Sequence, residues 1–473
     1  MGSEMCIRDS NKIARSFSLI EDEYLRERGQ DILDVGKKIL KNLLGYEREQ
    51  LAHLDSPVIV VAHNLTPADT IAMRREKVIG FATDIGGRTS HTAIMARSLE
   101  IPAVVGLKNV VQMVKPNDTI IIDGNQGIVV ISPDEMTLES YKREQQKYKK
   151  AVKKLEGLRD LPAVTLDGHE ITLLANIEVP DEIPSVLAHG ASGVGLYRTE
   201  YLFLDRKDLP SEEEQYKHYQ KVAEKMLPNT VILRTLDLGA DKISHDLNIL
   251  PERNPFMGMR AIRFCLRYKN VFKSQLKAIL RASPIGNLKI MYPMISGVDE
   301  FHRANDVLKE ARKELDDQNI PYDPNIEVGI LVEVPSAAIT SDVLAREADF
   351  LSIGTNDLIQ YTLAVDRVNE NVAHLYEPLH LAILRLIKSI IDYGHRYGKK
   401  VSMCGEMAAD SRFTKILLGM GLDELSMSPI AIPKIKQIIR SANYQDCLDL
   451  SLQILNLSEY KRAVQGIKKS KVE

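Results

Sequence analysis

Apolar and polar runs divide the chain into an α/β region and a longer region of repeated strand–helix units. Helical spacing of apolar residues predicts helix over 12–50, and the charged segment 134–161 predicts a solvated connecting helix. Between them, short apolar runs bounded by turn residues predict strands, and Gly124-Asn125 predicts a hairpin. The predicted strands are VIVVA at 58–62, VIGFAT at 78–83, AVVGL at 103–107 and two within TIIIDGNQGIVVIS at 119–132.

The region after Pro162 repeats a strand, a loop and a helix eight times. This repetition predicts a (β/α)8 barrel, and a doubly wound open sheet is the alternative that periodicity does not separate from it. The predicted strands are ITLLANI at 171–177, GVGL at 193–196, VILRTL at 231–236, KIMYPMI at 289–295, EVGILVEVP at 327–335, FLSIG at 350–354, KVSMCG at 400–405 and ELSM at 424–427.

Composition excludes several classes of protein. The 473 residues carry a net charge of −3 and 5% aromatics with no Trp, which argues against a nucleic-acid or membrane-surface binder. No apolar run reaches the length of a membrane span.

The four cysteines form no C-x-x-C motif, so we expect a reducing cytoplasm; they are Cys6, Cys265, Cys404 and Cys447. The first ten residues, MGSEMCIRDS, do not resemble a signal peptide, and we expect 1–10 to be a non-native leader.

Polar residues, most of them charged, follow five of the predicted barrel strands, on the face where barrel active sites form. Grouped by strand, they are Arg198 and Glu200; Arg234, Asp237 and Asp241; Glu333; Asn356 and Asp357; and Cys404 and Glu406. One such residue alone is usually a helix cap, but five strand ends together indicate a binding site. Arg198, Arg234 and Arg367 suit a phosphate or carboxylate. Glu333 and Asp357 suit Mg²⁺ held together with substrate phosphate.

One motif stands out in the first region, GGRTSHTAIMARSLEIPAVVG at 86–106. It places His91 at the start of a predicted helix, beside Arg88, Thr89 and Ser90, which is a setting that favours anions. A neutral imidazole is a competent nucleophile toward phosphorus, although a lone histidine is more often a surface or capping residue. His91 is therefore a candidate phosphoryl acceptor, with capping as the alternative.

Seven ordered motifs resemble the phosphoenolpyruvate-utilising enzymes, in particular their Enzyme I branch, the phosphoenolpyruvate–protein phosphotransferases of the sugar phosphotransferase system. The match extends from near residue 20 to near residue 460. Besides the His91 motif, the matching segments are GVGLYRTEYLFLDR, RTLDLGADK, NPFMGMRAIR, VEVPSA, SIGTNDLIQYTLAVDR and MCGEMA.

The resemblance implies a swivelling phosphohistidine α/β domain, joined by a helix to a C-terminal phosphoenolpyruvate-binding (β/α)8 (TIM) barrel. A hinge closure would bring His91 to the barrel. The expected domains after the leader are a remnant of a helical HPr-binding domain at 11–45, the phosphohistidine domain at 46–133, the linker helix at 134–161, and the barrel, which also dimerises, at 162–473.

The resemblance also implies a role for each site residue. His91 becomes phosphohistidine, Cys404 protonates the departing enolate to give pyruvate, and Glu333 and Asp357 hold Mg²⁺. The phosphoryl group then passes to the carrier protein HPr, the first step of sugar uptake, and the protein forms a homodimer. Without the motif, Cys404 would be taken for a small buried hydrophobe. The implied substrate-binding residues are Arg198, Arg234, Arg260, Asn356 and Arg367.

Alternatives to this assignment differ in how well the sequence supports them. A dikinase or phosphoenolpyruvate synthase needs a nucleotide-binding domain, and no Gly-rich ATP loop is visible. A nitrogen-regulatory Enzyme I paralogue, which phosphorylates an HPr-like regulator, shares all the motifs. An inactive docking or regulatory protein would usually have lost a residue such as His91 or Cys404. Because the match starts inside the helical domain, we expect an N-terminally truncated chain whose HPr docking is weakened.

Overall fold

The computed structural model describes residues 56–65, 77–86, 96, 100–204, 208–239, 252, 254–367, 369 and 371–456. The predicted helix over 12–50 lies outside these residues. The chain divides into two compact units, 1–142 and 143–473. Their boundary falls inside one helix, Glu135–Glu156, which lies within the predicted connecting segment.

The first unit contains a parallel sheet and an antiparallel hairpin. The sheet has the order β1 (Val58–Ala62), β2 (Val78–Thr83) and β3 (Ala103–Val104). The hairpin pairs β4 (Ile120–Asp123) with β5 (Ile128–Ile131). Strand β3 is shorter than its prediction because regular pairing stops at Val104. Gly106 then has a φ of +79°, in the left-handed region, and the backbone N–H of Leu107 still donates to Thr83 O of β2 at 3.0 Å. Helix α1 (Val110–Met113) follows β3, and α2 (Glu135–Glu156) follows the hairpin.

The second unit is built on a closed barrel of eight parallel strands, whose last strand pairs with its first. The strands are β6 (Thr172–Ile177), β7 (Val194–Arg198), β8 (Val231–Arg234), β9 (Leu288–Tyr292), β10 (Val328–Val332), β11 (Leu351–Ile353), β12 (Val401–Met403) and β13 (Glu424–Met427). This closure confirms the predicted (β/α)8 barrel, and the open-sheet alternative is wrong.

Helices surround the barrel and bury their apolar faces against it in one large core. They are α3 (Ile183–Ala188), α4 (Glu212–Met226), α5 (Ile262–Arg267), α6 (Lys269–Ala282), α7 (Val298–Asp317), α8 (Pro335–Ile339), α9 (Ser341–Glu347), α10 (Thr355–Leu363), α11 (Leu381–Arg396), α12 (Glu406–Ala409), α13 (Thr414–Met420), α14 (Ile432–Arg440) and α15 (Tyr444–Leu455).

A second, smaller cluster fills the barrel interior. It takes one side chain from each of the four consecutive strands β7 to β10, together with Phe350 and Cys404. Such filling is expected of a barrel this narrow, which is a packed core and not a pore. The thiol of Cys404 therefore belongs to the interior of the barrel.

Several strands end earlier than the sequence predicts. The apolar run that ends β9 continues to Ile295, which is buried in the core although it follows the last paired residue. Strand β12 ends at Met403, so Cys404 begins the loop that follows it. The polar residues of interest therefore lie on strand ends and loops at the carboxyl face of the barrel.

Candidate active site

The carboxyl ends of the barrel strands bring the predicted site residues to one face. Arg198 and Arg234 are the last residues of β7 and β8. Glu333 follows β10, and Cys404 follows β12. Asp357 stands in the first turn of α10, directly after β11. Because all eight strands are parallel, these five side chains share the face on which barrel enzymes build their active sites.

Two arginines and three carboxylates form a buried chain of ion pairs, which we call the arginine–carboxylate network. Arg234 donates from Nη2 to Glu200 Oε1 at 3.1 Å and from Nη1 to Asp237 Oδ2 at 3.0 Å. Arg260 donates from Nε and Nη2 to the two oxygens of Asp237, at 2.8 and 3.1 Å. Its Nη1 and Nη2 also face Asp357, at 3.4 and 3.2 Å. The network fixes both guanidiniums before any ligand arrives.

Charge within the network shifts the ionisation of its members. Burial alone would raise the pKa of Asp237, but the guanidiniums of Arg234 and Arg260 outweigh it and lower that pKa to about 2. Glu200 is different, because burial outweighs the attraction of Arg234 and raises its pKa. Asp237 is therefore the carboxylate of this pair that is held firmly in its charged form.

Arg198 pairs with a residue that we did not predict. Its Nη1 donates to Glu178 Oε1 at 2.6 Å, and Glu178 directly follows β6. Arg198 is a third exposed, whereas Arg234 and Arg260 are nearly buried. It is thus the most accessible of these three guanidiniums.

Glu333 and Asp357 place two buried carboxylates at this face. Both are buried, at 2% and 6% exposure, and Glu333 Oε1 accepts from the backbone N–H of Met294 at 2.7 Å. Burial, followed by the charges of Asp357 and Asp237, raises the pKa of Glu333 well above its usual range, against the pull of Arg234 and Arg260. Two buried, mutually repelling carboxylates fit Mg²⁺, which binds one or two carboxylates and takes its other ligands from water and substrate phosphate. Among the described residues, no group of three or more His, Cys, Asp or Glu side chains forms a metal cluster.

Cys404 sits where the barrel interior meets this charged face. It is 5% exposed, and its Sγ lies 3.5 Å from the hydroxyl of Ser352. Asn176 donates to its carbonyl oxygen at 3.0 Å. Burial raises the pKa of the thiol, while Ser352 and the charge of Arg234 act to lower it. The thiol is therefore protonated at neutral pH and lies within reach of the charge of Arg234.

Asn356 and Arg367 border the same face. Asn356 Oδ1 accepts from the backbone N–H of Glu406 at 2.8 Å, and its carbonyl accepts from Tyr376 Oη at 3.3 Å. Arg367 lies close enough to Tyr376 that its charge acts on the Tyr376 hydroxyl. The Nε of Arg367 is buried without a partner among the described residues. Such an orphaned donor suits an anionic ligand.

Several residues singled out in the sequence lie outside the described residues: Cys6, Arg88, Thr89, Ser90, His91 and Asp241. In the described part of the chain, no helix has the length and apolar character needed to cross a membrane. Cys265 and Cys447 are buried in the core, as expected of small hydrophobes.

Family models match most of the chain. The model of the PEP-binding domain of PEP-utilising enzymes, where PEP is phosphoenolpyruvate, matches residues 152–444, which is more than half of the chain. This chain belongs to the PEP-utilising enzymes. The model of the mobile domain of the same enzymes matches residues 54–127.

Curated relatives specify the branch of the PEP-utilising enzymes. The phosphoenolpyruvate–protein phosphotransferase of Staphylococcus carnosus (strain TM300) is 47% identical over 442 residues, which cover 93% of this chain and 77% of the relative. The enzyme of the same name from Priestia megaterium is 46% identical, over 96% of this chain and 79% of the relative. The enzyme of that name from Haemophilus influenzae is also 46% identical, over 95% of this chain and 78% of the relative. The predicted Enzyme I branch and the phosphotransferase class are confirmed.

Among solved structures, an NMR solution structure of an Enzyme I protein, nEIt, is 51% identical over 31% of this chain and 58% of that chain. Its TM-score is 0.22, so the structural likeness carries no argument.

Sequence reasoning missed several residues that support the site of this PEP-utilising enzyme. Glu178 directly follows a predicted strand, so the criterion that found Glu333 would also have found it. Ser352 and Asn176 lie inside strands β11 and β6, where nothing in the sequence distinguishes them from structural polar residues. Asp237 was noted after its strand but received no role.

Proposed function

We propose that this chain transfers the phosphoryl group of phosphoenolpyruvate to His91, releases pyruvate, and then passes the group to a histidine of HPr, the first step of sugar uptake by the phosphotransferase system. The observation that carries the proposal is the arginine–carboxylate network at the carboxyl face of a barrel that the PEP-binding family model matches. Fixed guanidiniums suit a small ligand with a phosphate and a carboxylate. The nitrogen-regulatory branch is the alternative, and the acceptor protein distinguishes the two.

The substrate would bind between the arginines of this face. Arg198, Arg234, Arg260 and Arg367 supply charge for its phosphate and carboxylate, and Asn356 supplies an amide. Phosphoryl transfer needs positioning and charge neutralisation more than covalent assistance from the protein. Guanidiniums that the network already holds in place meet that need without reorganisation on binding.

Glu333 and Asp357 would hold Mg²⁺, as their buried oxygens allow. The ion, when bound, neutralises charge on the substrate phosphate. The two carboxylates would fix the position of the ion. The Glu333 carboxylate is held by the backbone N–H of Met294, and the Asp357 carboxylate is held by the guanidinium of Arg260.

Cys404 would act as the general acid. When the P–O bond of phosphoenolpyruvate breaks, the phosphorus goes to His91 and the enolate of pyruvate remains in the barrel. The S–H proton of Cys404 then moves to the enolate methylene carbon, giving pyruvate and leaving a thiolate, which takes a proton from water. Arg234 and the Ser352 hydroxyl favour that transient thiolate.

The larger arrangement is part of the same proposal. We take 46–133 as the phosphohistidine domain, 134–161 as the linker that permits it to reach the barrel, and 162–473 as the barrel through which two copies associate. Segment 11–45 would be the remnant of the HPr-binding domain and 1–10 a non-native leader. Cytoplasmic location, inferred from the cysteine pattern, stays a prediction.

Arg260→Lys tests the substrate site, since lysine keeps the charge and loses the bidentate geometry. With phosphoenolpyruvate, Mg²⁺ and HPr, we expect pyruvate formation to fall by about 100-fold, as for loss of one preorganised donor. The matched control is Arg281→Lys, because Arg281 also bridges two carboxylates, Glu212 and Glu213, but does so on the outer helices. Equal activity in both variants would overturn the proposal.

A further inference from the structure

Asp237 contacts three other members of the arginine–carboxylate network, Arg234, Arg260 and Glu200, yet the proposed reaction gives it no role. Both of its oxygens are used: Oδ1 accepts from Arg260 Nε, and Oδ2 accepts from Arg260 Nη2 and Arg234 Nη1. Its backbone N–H donates to Glu200 Oε1 at 3.0 Å. The side chain is only 3% exposed, so solvent does not weaken these bonds. Among the residues that the structure describes, Asp237 is thus the one carboxylate that pairs with both buried arginines.

The two guanidiniums need such a bridge. Arg234 and Arg260 share one carboxylate, so their like charges lie close together in a buried place, where repulsion is strong. Without a carboxylate between them, the two guanidiniums would move apart by changing rotamer, and an arginine side chain has many rotamers available. The charge of Asp237 offsets the repulsion, and its planar carboxylate fixes the orientation of Arg260 through two parallel bonds.

The bridge by Asp237 also determines which guanidinium nitrogen of Arg234 is left without a hydrogen-bond partner among the described residues. Nη1 is taken by Asp237 and Nη2 by Glu200. Nε is buried and has no partner among the described residues. A buried donor without an acceptor is costly, and an anionic ligand oxygen would satisfy it. The position of this buried Nε is therefore fixed by the same carboxylate that orients Arg260.

We propose that Asp237 is a positioning residue for phosphoenolpyruvate: it locks Arg234 and Arg260 in one relative geometry and leaves Arg234 Nε for an oxygen of the substrate. This inference rests on the function proposed above, in which both arginines bind that substrate. Asp237 itself does not touch the substrate, since both of its oxygens are committed to the arginines.

Asp237→Asn tests the inference, because asparagine keeps the size, loses the charge and replaces one acceptor with a donor that faces a guanidinium. We expect the KM for phosphoenolpyruvate to rise by about 10-fold or more, the loss typical of breaking a buried charge pair at a binding site, with a smaller change in kcat. Asp237→Glu keeps the charge and should recover part of the affinity.

A control separates positioning from general loss of stability. Asp349 also uses a carboxylate oxygen as an acceptor, for the backbone N–H of Val328 at 2.7 Å, but the residue is exposed and lies before β11, at the amino end of the barrel. Asp349→Asn should lower the unfolding temperature and leave the KM for phosphoenolpyruvate unchanged. If both variants change KM in proportion to their loss of stability, Asp237 is merely structural and the inference is wrong.

A double-mutant cycle gives the second readout. If Asp237 acts through Arg234, then Asp237→Asn should raise KM much less in an Arg234→Lys background than in the parent chain. Fully additive effects would contradict the inference. A parent chain that forms no pyruvate from phosphoenolpyruvate would refute the proposed function itself, whereas an active parent with an unaltered Asp237→Asn variant refutes only the role of Asp237.

Discussion

At Cys404, burial and charge act in opposite directions on a single thiol. Burial raises its pKa, and the Ser352 hydroxyl and the Arg234 guanidinium reduce the increase without cancelling it. The outcome suits a general acid, which must carry its proton at neutral pH and release it to a more basic carbon. The other described cysteines are also buried, but they lie among core helices and not on the charged face.

Replacing this thiol should slow one step of the reaction. We expect Cys404→Ala to reduce pyruvate formation by about 10²–10⁴-fold, the usual contribution of a positioned general acid. Phosphorylation of His91 in a single turnover should fall much less, because the phosphoryl group leaves before the proton moves. Cys265→Ala, which removes an equally buried thiol from the core, is the matched control. The assignment fails if the two variants form pyruvate at the same rate.

The same thiol predicts the direction of a pH dependence. Only the protonated form can donate, so kcat for pyruvate formation should fall as pH rises through the raised pKa of Cys404. The fall in kcat should begin at a pH above about 8.5, which is the ordinary pKa of a cysteine thiol. A pH profile of the parent chain, with HPr in excess, measures it. An increase in rate over that alkaline range would show that the thiolate is the working form.

At the scale of elements, the loops after the strands are packed so closely that some positions admit only glycine. Gly354 joins β11 to α10, and a Cβ there would lie 2.8 Å from Glu333 Oε2 and 3.0 Å from its Cβ. The turn between these elements therefore sets the position of a proposed metal ligand. Gly297 offers a contrast, since a Cβ there would meet nothing within 4 Å and its φ is −175°.

Gly354→Ala should therefore displace the Glu333 carboxylate. We expect a loss of about 1–3 kcal/mol in the free energy of unfolding, as for other overpacked sites, and a higher Mg²⁺ requirement for pyruvate formation. Gly297→Ala should leave both quantities unchanged. Thermal denaturation and a Mg²⁺ titration of the rate measure the two effects. An unaltered Mg²⁺ requirement in the Gly354 variant would contradict the placement of Glu333.

Much of this fold follows from local patterns, and the site follows only in part. Eight strand–helix repeats are a local property of the sequence, so the strands and the end that carries Arg234, Glu333 and Cys404 could be predicted. The repeats alone did not separate a barrel from an open sheet, and the family resemblance favoured the barrel. The partners of those residues could not. Arg234 might have paired with any carboxylate that barrel closure brings near it, and the choice of Glu200 and Asp237 depends on strand register. Strand ends were also overextended, since apolar residues such as Ile295 stay buried after pairing stops.

At the scale of the molecule, the second unit has a closed barrel, and closure depends on the pairing of β13 with β6. We expect a fragment of residues 143–473 to fold cooperatively and to bind phosphoenolpyruvate with Mg²⁺, but to take no phosphoryl group because it lacks His91. A fragment of residues 143–423 omits β13 and should not fold, since the barrel cannot close. Circular dichroism melting tests the folding of both fragments, and calorimetric titration tests the binding of phosphoenolpyruvate to the 143–473 fragment. A 143–473 fragment without a cooperative transition would contradict the account of this unit.

The most direct test of the central claim is to incubate the chain with phosphoenolpyruvate labelled on its phosphate, together with Mg²⁺, beside a His91→Ala variant. We predict label on the parent protein that is lost in acid and retained in base, as expected of a phosphohistidine, and no label on the variant. The variant should still bind phosphoenolpyruvate, because the barrel residues are intact. Equal labelling of the two proteins, or no labelling of a parent chain that binds the substrate, would contradict phosphoryl transfer to His91.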